Sequence, residues 1–101
     1  MNRYRSNGKY EGEENMEKII FDNGACRLTE IFGDYRLYSV STVDMDGIKE
    51  RDLNHAYTFY SSGYARNERT GRMNRISYGE DFNLLAYVTE FYRGECKRLG
   101  V

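Results

Sequence analysis

Two glycine-bearing turns, each set between strand-favouring runs, constrain the fold of this chain more than any other feature. Asn23-Gly24 separates Ile19-Ile20-Phe21 from Ala25-Cys26-Arg27-Leu28. Gly33-Asp34 separates Leu28-Thr29-Glu30-Ile31-Phe32 from Tyr35-Arg36-Leu37-Tyr38-Ser39-Val40. Asn-Gly suits a type I′ turn, whose two central residues both take positive φ, and a leading glycine suits a type II′ turn. Together they predict a three-stranded antiparallel meander over about residues 17–43.

A short meander needs a cover for one face. From Asp81 to Arg98 the apolar residues Leu84, Leu85, Val88, Phe91, Tyr92 and Cys96 recur at the helical period, with Leu99 just beyond. Glu80 and Asp81 favour a helix start, Lys97 and Arg98 favour its end, and Gly100 is a stop signal. The expected fold is therefore α+β, an N-terminal meander packed against a C-terminal amphipathic helix. Between them Ile48, Leu53, Ala56, Tyr57 and Tyr60 predict a second helix over about 49–62, closed by Gly63. Tyr57-Thr58-Phe59-Tyr60 pulls against this assignment, because aromatic and β-branched residues favour strand.

The 101 residues suit one domain. Residues 1–15 lack apolar periodicity and read as a flexible arm, which leaves 16–101 as a single α+β domain. No apolar run approaches the roughly 20 residues that span a bilayer, and no signal peptide is evident. No membrane role is expected. Two cysteines, Cys26 and Cys96, read as reduced thiols packed as small hydrophobes, which points to a cytoplasmic protein, with a single disulfide as the alternative. The net charge of −1 excludes steering of an anionic partner by an overall field, so recognition must be local. Ten tyrosines suit half-buried sheet faces or wet interfaces equally well.

The most unusual cluster is Arg66, Arg69, Arg72 and Arg75, flanked by Tyr64 and Tyr78 and balanced only by Glu68. Were Thr70-Gly71 a two-residue hairpin loop, Arg69 would face Arg72 and Arg66 would face Arg75. Like charges directly opposite destabilise a strand pair. Either a solvated loop or a basic contact surface resolves the conflict. Arginine interleaved with tyrosine suits a protein hot spot or a single nucleic-acid strand. A second basic-aromatic cluster (Arg3, Tyr4, Arg5, Lys9, Tyr10) is largely cancelled by Glu11, Glu13, Glu14 and Glu17.

Other chemistry finds little support. Asp44-Met45-Asp46-Gly47 lacks the spacing of a calcium loop, since glycine falls fourth and His55 twelfth. Zinc needs about four sulfur or imidazole ligands, and the chain offers three without paired spacing. No metal or cofactor is expected. His55, the only histidine, could pair with Cys26 or Cys96 as base and nucleophile only if distant residues converge.

These features point to a small non-enzymatic interaction module. Its expected partner is a macromolecule, a protein or a protein–nucleic acid complex, met by Tyr64, Arg66, Arg69, Arg72, Arg75 and Tyr78. Inhibitors or adaptors, such as phage or mobile-element proteins that block a host nuclease complex, exemplify the class, though no residue specifies one. A weak nucleic-acid binder using the same Arg/Tyr patch is the alternative, and a small cysteine/histidine enzyme is a third. Self-association is a further expectation, because a short meander has two edges to manage.

Overall fold

The computed structural model describes residues 16–40, 53–76 and 83–101. Six strands form one antiparallel sheet in sequence order: β1 (Lys18–Asp22), β2 (Cys26–Ile31), β3 (Asp34–Ser39), β4 (Asn54–Tyr60), β5 (Tyr64–Asn67) and β6 (Met73–Arg75). A single described helix, α1 (Leu84–Leu99), follows. The α+β class and the first three strands match the sequence expectation. The sheet is twice as wide as expected, and the second helix is absent from the described part of 49–62.

That segment is strand β4, and the physical reason lies in two features. The run Tyr57-Thr58-Phe59-Tyr60 favours a pleated conformation. A strand there also satisfies the second edge of β3, whose N–H and C=O groups would otherwise lack partners. The register skips Ala56, so Leu37 faces Tyr57 while Tyr38 faces His55. This bulge puts Tyr57 and Phe59 on one face of the sheet and His55 and Thr58 on the other. Residues 49–52 lie outside the described residues, as do the arm at 1–15 and the acidic Asp44–Gly47 segment.

Both turns differ in type from the expectation, and the second also lies one residue earlier. Phe32 and Gly33 take φ of 53° and 86°, and Ile31 pairs with Asp34. The two-residue loop is thus Phe32-Gly33 with both φ positive, the type I′ pattern, rather than Gly33-Asp34 in a type II′ turn. At the first turn Gly24 alone has positive φ (93°). The Asn23 carboxamide oxygen accepts from the amides of Ala25 and Cys26 at 3.1 and 2.8 Å, so a side-chain-capped loop replaces the tight Asn-Gly turn.

Helix α1 begins at Asn83, whose side-chain oxygen accepts from the Ala86 amide at 3.1 Å. It ends at Gly100, which takes φ of 78° and returns its amide to the last-turn carbonyls, as expected. The expected start at Glu80 and Asp81 lies outside the described residues. The helix lies along β2 and β3, and Phe91 and Tyr87 reach over β4. Its stripe joins Cys26, Leu28, Leu37, Phe59, Ile76, Val88, Cys96 and Leu99 in one core. Leu85 departs from the expected stripe and is exposed. Phe59 is fully buried and makes T-shaped contacts with Phe91 and Tyr87, and burying such a ring contributes about 1.5–3 kcal/mol.

Candidate binding face of the sheet

The strand registers define which side chains share a face. On the face away from α1, one row carries Thr29, Arg36, Thr58, Arg66 and Met73. The row beside it carries Arg27, Tyr38 and His55, and the row on the other side carries Tyr60, Tyr64 and Arg75. Among the described elements none packs on this face; Thr29 and Thr58 in its central row are buried, while Tyr64 and Met73 toward β5 and β6 are exposed.

The arginines expected to face one another do not. The loop joining β5 to β6 spans more than two residues, because Asn67 and Arg72 close it through a 2.8 Å backbone bond. Met73 therefore faces Arg66, and Tyr64 faces Arg75. The Arg75 guanidinium stands 5.5 Å over the Tyr64 ring, a favourable cation–π contact in place of a repulsive pair. Arg66 is held by Glu68, Nε to Oε1 at 3.2 Å.

The six expected contact residues thus divide. Tyr64, Arg66 and Arg75 share the open face. Arg69 is a strap, its Nη2 donating to the carbonyl and hydroxyl oxygens of buried Ser39 at 3.4 and 3.2 Å. Arg72 lines a cleft on the helix side. Tyr78 lies outside the described residues. Sequence reasoning missed Met73 and Tyr60, which complete the patch. Tyr60 was hidden by the helical reading of 49–62, and Met73 by the two-residue loop supposed at Thr70-Gly71.

A polar chain crosses the same face. The His55 Nε2 lies 3.0 Å from the Tyr57 carbonyl, which can only accept, so the proton sits on Nε2. The same N–H reaches the Thr58 hydroxyl at 2.8 Å, and that hydroxyl donates to Glu68 Oε2 at 2.7 Å. The Tyr38 ring lies tilted against the imidazole at 4.9 Å, and its hydroxyl donates to Glu17 at 2.7 Å. Burial lowers the His55 pKa, and the Glu68 carboxylate offsets part of that. Burial also works against ionised Glu68, but the Thr58 hydroxyl and the charges of His55 and Arg66 outweigh it and hold the carboxyl below its usual range. Burial and the bond to Glu17 raise the Tyr38 pKa.

His55 and the cysteines are on opposite sides of the sheet. Cys26 packs in the core under α1, while His55 lies on the open face. The structure does not bring the sequence-level base and nucleophile together. It does bring Cys26 and Cys96 together as free thiols in the core, and burial, reinforced by Cys96, pushes Cys26 up to about 12. Among the described residues no group of three or more His, Cys, Asp or Glu is gathered for a metal, and no helix is long and apolar enough to cross a membrane. No family model matches the chain, and no curated protein or solved structure matches it either.

Proposed function

We propose that this chain is a non-enzymatic binding module that contacts a protein partner through the open face of β4–β6. The observation that carries the reading is the Arg75–Tyr64 stack, set beside Tyr60, Arg66 and exposed Met73. Arginine, tyrosine and methionine are enriched at protein interfaces, and arginine and tyrosine dominate their energetics. A guanidinium already stacked on a ring loses little rotamer freedom when a partner arrives. Such a module works by occupying its partner's surface, as inhibitors and adaptors do.

A protein partner fits better than nucleic acid because the charge on this face is largely balanced. Glu68 holds Arg66, and Asp22 holds Arg27 at 3.2 Å. Asp34 adds a further carboxylate beside the patch, accepting from the Ser61 amide at 2.7 Å. Phosphate tracking needs a surplus of free cations. Nucleic acid is the second reading, favoured by the aromatic surfaces of Tyr60 and Tyr64 beside Arg75. Salt separates the two. Steep weakening between 50 and 200 mM salt would replace the protein reading with the nucleic-acid one, and weak dependence supports the protein partner.

A further inference from the structure

A six-stranded sheet spans about 24 Å across its strands, since neighbours lie about 4.8 Å apart. One helix covers only about 10–12 Å of that width. Because α1 lies along β2 and β3, it leaves the helix-side surface of β4–β6 partly uncovered. The result is a cleft of about 260 Å³ between α1 and the end of the sheet.

The walls of this cleft are chemically divided. Tyr57, Tyr87 and Phe91 form an aromatic side, with Tyr57 meeting Phe91 edge-on at 4.7 Å and Tyr87 lying 6.3 Å from Phe91. Asn67, Arg72, Asn74 and Arg75 form the opposite, polar side, with the Arg75 guanidinium stacked over the Tyr64 ring. The Asn67 carboxamide oxygen is occupied by the amides of Arg69 and Thr70, which leaves its NH₂ as the group to offer a ligand. Among the described residues Arg72 pairs with no carboxylate. Among the described residues the acids of α1 near Phe91, Glu90 and Glu95, line a neighbouring hollow and are paired with Arg93 and Arg98. One end of the cleft is therefore apolar and aromatic, and the other carries a cation and amide donors.

We infer that this cleft binds a small aromatic anion, its ring against Tyr57, Tyr87 and Phe91 and its carboxylate or similar oxyanion toward Arg72. The size supports one or two rings, because roughly 150 Å³ already holds benzene and drug-sized sites begin near 300 Å³. Ring contacts supply edge-to-face packing, and a guanidinium–carboxylate bond supplies orientation. The site shares only Arg75 with the patch on the other sheet face and does not depend on the proposal made for that face.

The test is a titration of the full chain with 1-naphthoate, followed by ¹H–¹⁵N correlation spectra, with 1-naphthalenemethanol as the neutral counterpart. Naphthoate is expected to shift the side-chain NH₂ signals of Asn67 and Asn74 and the amide of Ile76, and to saturate. Arg72→Gln, a substitution in an exposed turn, is expected to weaken naphthoate at least about fivefold while leaving the dispersed spectrum intact. Three results would overturn the inference: no saturable shifts at these residues, equal affinity for the neutral alcohol, or unchanged naphthoate affinity in Arg72→Gln.

Discussion

Arg75 stacks over Tyr64 at 5.5 Å across the β5–β6 pair, two residues that evenly spaced arginines in the sequence would never have put together. The contact converts a charge conflict into a prepared surface. An exposed cation–π pair is worth about 0.5–1 kcal/mol. A double-mutant cycle with Tyr64→Leu and Arg75→Gln, read by chemical denaturation, is expected to return a coupling of about that size. Strict additivity would mean that the stack contributes nothing.

Phe32 occupies a left-handed turn position, φ 53°, with its ring 77% exposed. A bulky residue is poorly suited to this conformation, whereas asparagine followed by glycine is the preferred type I′ pair. Phe32→Asn is expected to stabilise the fold by about 1 kcal/mol, seen as a higher denaturation midpoint with an unchanged slope. A lower midpoint would show that the ring makes contacts that outweigh the strain.

The first three strands were legible in the sequence, as were the helix and its glycine stop, while the second turn lies one residue earlier than its glycine implied. What the sequence concealed has physical causes. Asn23 uses its side chain to bond two following amides, which replaces the tight turn that the Asn-Gly pair alone implies. Leu53, Ala56, Tyr57 and Tyr60 fall at helical spacing, yet a bulge at Ala56 resets the strand alternation and makes the same residues serve a sheet. The arginine run misled because a loop of unknown length shifts every pairing beyond it. Tyrosine supplied no facing signal: Tyr57, Tyr87 and Tyr92 serve the helix side, and Tyr38, Tyr60 and Tyr64 the open side.

Stability should fall with acid in two steps. The folded His55 has a pKa below its ordinary 6.5, so the unfolded chain takes up the proton first. The stabilising preference for neutral His55 is complete above that value and is lost as pH falls from about 6.5 to the folded value. Glu68 is depressed below 4.5, so its contribution is present above 4.5 and is lost as pH falls further, through its folded pKa. Denaturation midpoints measured from pH 8 to 3 are expected to show both losses. His55→Gln should remove the upper one and leave the lower, and an upper loss that persists would assign it to another group.

Both thiols should be slow to react. Cys26 is fully buried with its thiol pushed up to about 12, and Cys96 is 8% exposed and accepts from the Asn23 carboxamide at 3.1 Å. Thiolate is the reactive form. Iodoacetamide near neutral pH is expected to modify neither cysteine in the folded chain and both in denaturant. Rapid single-site modification of the folded chain would revive the cysteine/histidine enzyme.

The central claim is that the open face of β4–β6 holds a protein partner. Its most direct test is affinity capture from nuclease-treated host lysate with the wild-type chain, Tyr64→Ala/Arg75→Glu and Arg72→Gln, each with far-UV circular dichroism confirmed unchanged. The expected result is one discrete protein held by wild type and by Arg72→Gln, and lost with the Tyr64/Arg75 variant. A partner retained by the Tyr64/Arg75 variant, or recovery that vanishes with nuclease alone, would contradict the claim.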